Sequence, residues 1–233
     1  MAKTEVTLID CMGSDLSVVN AARVSFDKES EWEAKDKELL IDLEPVSISY
    51  KVLSERDQKL VRYLAKHNHW SPFSHAFLSF RIKAPIFVAR QLVKHQVGLA
   101  WNEVSRRYVD TPPEFYQPET WRQRAENVKQ GSGEDPVEDL ERVRYLVAHL
   151  HDIAMADYRW LLEKGVCPEQ ARMILPQSTM TEWIWSGSLF AFARVCKLRL
   201  DSHAQVETRD VAEFIAEAAH DHFPICWREL MNA

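Results

Sequence analysis

The chain has 233 residues, 46% of them hydrophobic and 27% charged, with a formal net charge of −6. That length builds one large domain or two small ones, and the composition is that of an ordinary globular protein. The acidic balance argues against a general nucleic-acid binder, no apolar run is long enough for a bilayer span, and the start of the chain does not read as a signal peptide.

Glu5 to Asp10 alternates as a short strand. Ser14 or Asp15 caps a helix through Leu16, Val19, Ala22 and Arg23, with Ser25 at its end. Residues 27–50 are charged and then mixed, and read as an exposed insertion with one helical turn. Ser54-Glu55-Arg56-Asp57 resembles a capping box. Leu60, Tyr63, Leu64 and His67 follow at helical spacing, and Asn68 suits the end. His67 to His75 reads as a loop. Its three histidines invite a metal hypothesis, but no cysteine or carboxylate partner stands at matched spacing. Satisfied loop histidines, or contacts to a cofactor, explain them better.

Phe77 to Lys83 alternates cleanly, with Leu78, Phe80 and Ile82 on one face and Ser79, Arg81 and Lys83 on the other. This predicts a half-buried antiparallel strand. A helix is predicted next, with Pro85 in its first turn and Gly98 at its end. Gln91, Lys94 and His95 fall on one face of it. A polar stripe on a buried helix needs partners. Trp101 to Tyr108 then packs an acid, a hydroxyl and two guanidiniums into eight residues.

Thr111-Pro112-Pro113 breaks regular structure, and Phe115, Tyr116 and Trp121 form an aromatic patch. Residues 129–136 read as a loop, with Asp135-Pro136 opening a helix. Leu140, Val143, Val147, Leu150, Ala154 and Leu161 predict a long amphipathic helix ended by Gly165. Pro168 starts a short helix carrying Arg172. Thr179 to Glu182 reads as a capping box for an apolar helix to about Leu200, bearing Arg194, Lys197 and Arg199. A last amphipathic helix spans Gln205 to His222. The pattern predicts a helix-rich α+β fold, an antiparallel sheet early and helices in the C-terminal half, over one domain spanning 1–233. Cys11, Cys167, Cys196 and Cys226 lie far apart and fit reduced thiols in a cytoplasmic setting.

Five segments, taken in order, carry a resemblance: VTLIDCMGSDLSVVNAARVSFD, HNHWSPFSHAFLSFRIKAPIFVARQLVKHQ, NEVSRRY, EQARMILP and LRLDSHAQVETRDVA. Together they resemble the flavin-dependent thymidylate synthases (the ThyX family) over nearly the whole length. The resemblance implies reductive methylation of dUMP to dTMP, with methylenetetrahydrofolate giving the carbon, FAD the hydride and NADPH reducing the flavin. It implies a homotetramer whose active sites draw on several subunits, and no cysteine nucleophile, metal, nucleic acid or membrane.

Carried over, Gln91, Leu92, Val93 and Lys94 fall on dUMP-binding positions, as do Glu103, Val104, Ser105, Arg106, Arg107 and Arg172. Arg199 matches the arginine that favours ionisation at uracil N3, the catalytic role. Ser25, His69, Ser71, Lys94, His95, Gln96, Glu103, Ser188, Arg194, Leu198 and His203 match FAD positions. Guanidiniums and a hydroxyl suit a phosphate dianion. The chain departs from the family signature of Arg-His-Arg, seven residues, then Ser: it has Lys94-His95-Gln96, eight residues, then Ser105. Ser74, Ser188 and Phe190 replace an acid, an asparagine and an arginine. These changes imply a rearranged set of flavin contacts. His151-Asp152 and His220-Asp221 leave open a metal-dependent HD phosphohydrolase. A non-catalytic dUMP-binding relative is a third reading.

Overall fold

The computed structural model describes residues 2–41, 44–125 and 131–233. Its frame is a four-stranded antiparallel sheet built from β1 (Glu5–Met12), β4 (Phe77–Pro85), β8 (Met180–Ser188) and β5 (Leu99–Glu103), in the order β1-β4-β8-β5. As the alternation predicts, Leu78, Phe80 and Ile82 are buried. Phe80 lies opposite Trp185 and Ile82 opposite Trp183. The other face is polar: Ser79 Oγ lies 2.6 Å from Ser186 Oγ, and Arg81 pairs with Glu182.

Helices cover the apolar face. They are α1 (Asp15–Arg23), α2 (Glu55–Lys66), α6 (Leu189–Arg199), α7 (Val206–His222) and α8 (Pro224–Asn232). Phe192 of α6 meets Phe80 and Trp185 edge-on at 5.1 and 5.3 Å. Ser54 caps α2, accepting the Asp57 N–H at 3.1 Å. Asp57 also accepts hydrogen bonds from Arg23, Ser30 and Ser54, which ties α1 to α2. Burial would raise the Asp57 carboxyl, but those donors outweigh it and hold the group below its usual range.

The structure revises several sequence expectations. Residues 33–52 form a hairpin, β2 (Glu33–Ile41) with β3 (Glu44–Val52), where an insertion with a helical turn was expected. Val46, Ile48 and Tyr50 alternate along β3, which suits a pleat. The segment 129–136 is no plain loop: β6 (Arg122–Arg124) pairs with β7 (Ser132–Pro136), while 126–130 lie outside the described residues. The long helix α4 (Leu140–Glu163) therefore begins later than Asp135, capped by Asp139. Pro168–Ala171 (α5) is the expected short helix, continued by a 3-10 turn through Ile174.

The predicted helix from Thr179 is mainly strand. Thr179 Oγ1 donates to the Pro176 carbonyl at 2.7 Å, and the following Trp-Ile-Trp forms the sheet's second central strand. Pairing on both sides outweighs the local capping pattern. α6 begins at Leu189, with Ser188 Oγ accepting the Ala191 N–H at 3.2 Å. Gly187 is required because a Cβ there would sit 2.5 Å from the Gly98 carbonyl oxygen, where the chain enters β5.

α3 (Ile86–Leu92) is shorter than expected. Pro85 sits at its N-cap, outside the first turn, and Val93 closes it. Gly98, at φ 79°, turns the chain into β5. Lys94 and His95 thus lie beyond the helix, not on its face.

Candidate active site

Two cavities collect most of the predicted nucleotide residues. The first, of about 610 Å³, lies where the end of α6 meets the start of α7, and Gln91, Arg122, Lys197, Leu198, Arg199 and His203 help line it. Arg199 ends α6. Its Nε donates to His95 Nε2 at 3.0 Å and its Nη2 to the Gln91 carbonyl at 3.4 Å. His95 accepts at Nε2 and is therefore neutral there. Burial, then the Arg199 and Arg194 cations, press its pKa below the ordinary 6.5. Burial also lowers Arg199, but a guanidinium starts so high that it stays charged. Asp201 accepts from the His203 backbone N–H at 2.8 Å and from its ring Nδ1 at 2.9 Å, which hold the carboxyl below its usual range.

Gln91, in the last turn of α3, is tied to α7. Its Nε2 donates to Gln205 Oε1, and Thr208 Oγ1 donates to its Oε1 at 3.3 Å. Leu92 points into the core, Val93 is half-buried, and Lys94 is exposed with no ion pair among the described residues.

The second cavity, of about 280 Å³, includes Lys83, Glu103, Val104, Arg106, Arg172 and Thr181 in its lining. β5 delivers Glu103 to its edge. Glu103 Oε1 accepts from Thr181 Oγ1 at 2.7 Å and Oε2 from Trp101 Nε1 at 3.1 Å, so the carboxylate is aimed by two donors. Arg106 Nη1 donates to the Thr111 carbonyl at 2.8 Å. Ser105 Oγ accepts from Arg107 N and Nε, both at 3.4 Å. Arg107 reaches Glu169 at 4.0 Å and Arg172 donates to the Glu169 carbonyl at 3.3 Å, so the two guanidiniums flank one residue. The two cavities share no lining residue. Of the predicted dUMP residues, Gln91 and Arg199 thus line one cavity and Glu103, Val104, Arg106 and Arg172 the other, as two half-sites in one chain.

Of the predicted flavin positions, Arg194 and Leu198 lie on α6, Ser188 caps it and His203 follows its end. Near its start, the loop carrying His69 and Ser71 leads into a 3-10 turn, and Trp70 stands 6.4 Å from Phe190, ring to ring. Ser188 is buried as the α6 cap, so its hydroxyl is already engaged. Arg194 is exposed, one turn beyond Phe190 on the same helix. Leu198, Arg199 and His203 lie at the far end. Ser25 is exposed in the 3-10 turn after α1, and Gln96 is exposed in the turn after α3. The sequence reading missed Gln205, Glu207, Thr208 and Arg122, which hold Gln91. Three of them cluster at the start of α7, which is the only local sign of them.

Among the described residues, only the first of the two HD pairs is engaged by the rest of the fold. His151 Nε2 lies 2.7 Å from Ser178 Oγ, and its ring stacks on Phe115 at 4.5 Å. His220 and Asp221 are exposed on α7. Among the described residues no group of three or more His, Cys, Asp or Glu could hold a metal ion, and no helix is long and apolar enough to cross a membrane.

Fold and site together define an α+β chain with arginine side chains lining two cavities beside one sheet. Residues 7–225 match the family model described as thymidylate synthase complementing protein. The flavin-dependent thymidylate synthase of Thermus thermophilus is 39% identical over 222 residues, covering 95% of this chain and 73% of that protein. The enzyme of the same name from Kosmotoga olearia is 36% identical over 234 residues, covering 100% and 92%. Among solved structures, a UMP/dUMP methylase, PolB from Streptomyces cacaoi, bound with 5-Br dUMP, superposes with a TM-score of 0.81 at 28% identity, covering 99% of this chain and 96% of that one. The chain belongs to the flavin-dependent thymidylate synthase family. Neither the HD phosphohydrolase nor the non-catalytic reading finds support beside these relatives.

Proposed function

We propose that this protein, as one catalytic domain over residues 1–233, methylates dUMP reductively to dTMP in the cytoplasm. Methylenetetrahydrofolate is the carbon donor, and FAD reduced by NADPH is the hydride donor. The observation that carries this is that Arg199, hydrogen-bonded to His95, lines one cavity together with Gln91 in a chain of this family. Arg199 is a fixed cation. Beside the uracil ring it stabilises the anion left when N3–H ionises, and the charge that spreads to C5 makes that carbon the nucleophile. The chain supplies no ready thiolate at three of its four cysteines: burial raises the thiols of Cys11, Cys196 and Cys226.

Ser105, Arg106, Arg107 and Arg172 hold the phosphate, and Glu103 takes a hydrogen-bond donor of the nucleotide. The half-sites lie in separate cavities of one chain. We therefore propose that a neighbouring copy completes each active site in a homotetramer. Exposed apolar residues on α4 (Tyr145, Leu146, Leu150 and Ile153) supply surface for such contacts.

The side chains along α6 fit a flavin dinucleotide. Trp70 and Phe190 offer aromatic faces, Arg194 and Lys94 offer cations for a diphosphate, and the 11-residue helix runs about 16 Å. His69, Ser71, His95 and His203 add donors. When bound, the reduced flavin supplies the hydride that converts the transferred carbon to a methyl group. The reading is tested by tritium release from 5-tritiated dUMP in deaerated buffer with FAD, NADPH and methylenetetrahydrofolate. Release that needs all three is expected, and no release overturns the reading.

A further inference from the structure

Gln91 is held by a chain of hydrogen bonds that begins at a buried carboxylate on α7. Glu207 is 6% exposed. Its Oε1 accepts from Arg122 Nη2 at 2.7 Å, and its Oε2 accepts from Gln205 Nε2 at 3.0 Å. Gln205 Oε1 then accepts from Gln91 Nε2, and Gln91 Oε1 accepts from the buried Thr208 hydroxyl. An amide by itself can face either way, and only its partners fix it. Here the far end is unambiguous. A carboxylate paired with a guanidinium only accepts, so Gln205 must turn its NH₂ toward Glu207 and its oxygen toward Gln91. Gln91 must in turn offer NH₂ to Gln205.

We propose that Glu207 and Gln205 are positioning residues that fix the polarity of the Gln91 amide and thereby select uracil over cytosine. The proposal rests on the dUMP reading above. Gln91 has one N–H and one Oε1 lone pair left, beside Arg199 in the same cavity. Uracil presents an acceptor at O4 next to a donor at N3. Cytosine presents a donor at N4 next to an acceptor at N3. An amide of fixed polarity matches the first edge and opposes the second. Turned over, it would suit cytosine, but its carbonyl would then face the Gln205 carbonyl and leave both unsatisfied. The Arg122–Glu207 pair anchors the chain from the β6–β7 hairpin, so the hairpin holds the relay as well as the cavity wall.

The test is calorimetric titration of dUMP and dCMP into the FAD-loaded protein and its Gln205→Met and Glu207→Gln variants, with thermal unfolding alongside. Methionine keeps the volume of Gln205 and removes its polarity, and glutamine at 207 no longer dictates direction. The expected result is a dUMP:dCMP affinity ratio that falls about tenfold in both variants. A merely structural role would weaken both nucleotides together and leave the ratio unchanged, and an unchanged ratio in Gln205→Met overturns the proposal. If Glu207→Gln does not fold, Gln205→Met decides alone. Wild-type protein that binds no dUMP overturns the substrate reading itself, which separates the two failures.

Discussion

Arg199 donates its Nε–H to His95 Nε2 across 3.0 Å, joining residues 104 positions apart. The bond exists only while that nitrogen is unprotonated. Because the folded pKa of His95 lies below 6.5, the folded state binds fewer protons than the unfolded one between the two values. Its contribution to stability is therefore complete above pH 6.5 and falls as pH drops through the folded pKa. Nuclear magnetic resonance titration of His95 should give a midpoint below 6.5, and dUMP turnover should fall over the same range. A midpoint above 6.5 contradicts the hydrogen bond.

Arg199→Ala should lower kcat by about 10²–10³-fold, the scale of removing one fixed stabiliser of developing charge. The guanidinium faces a cavity and not the packed core, so the thermal midpoint should stay near wild type. Steady-state kinetics with saturating FAD and folate check this, and near-normal kcat refutes the role.

Arg172→Ala should act on the other half-site. Losing a charge-assisted hydrogen bond costs about 1.5–3 kcal/mol, so the dissociation constant of dUMP should rise at least about tenfold while flavin binding holds. If copies share sites, mixing the Arg172→Ala and Arg199→Ala proteins, unfolded and refolded together and assayed at dUMP well below the Arg172→Ala dissociation constant, should give more activity than the mean of the two parents. A mixture no more active than the mean of its parents would mean that each chain completes its own site.

Asp57 is 3% exposed and Arg23 is its charged partner. Asp57→Ala should destabilise the protein by about 3–5 kcal/mol, because it leaves a buried guanidinium uncompensated. Chemical denaturation should show a lower midpoint with little change in slope. A midpoint shift worth less than about 1 kcal/mol would show that water replaces the carboxylate.

Phe190→Ala should weaken FAD, read as reduced yellow colour and a right-shifted absorbance titration. The variant removes the aromatic face beside Trp70 and leaves Arg194 in place. An unaltered titration places the flavin away from the start of α6.

Some elements were legible because neighbours in sequence decide them. Ser54 and Asp57 announce α2, and the alternation of Leu78, Phe80 and Ile82 announces β4. β8 was not legible. Thr179 to Glu182 imitates a helix start, and only pairing with β4 and β5 makes Trp183 and Trp185 strand residues. α3 ended early for a similar reason: Gly98 must pass over Gly187 to start β5. The hairpin at 33–52 is held by its own strand pairing, which charge-rich composition disguised.

By itself the sequence determined the family, the candidate residues for a site and the helices whose caps and periodicity are local. The tertiary structure decided which of those residues meet. Arg199 finds His95, Glu207 orients Gln91 through Gln205, and Arg172 stands in a cavity apart from both. Capping and alternation act over a few residues. Those meetings join groups up to 114 positions apart, and only the packing of α3, α6 and α7 on and beside one sheet brings them within hydrogen-bond reach.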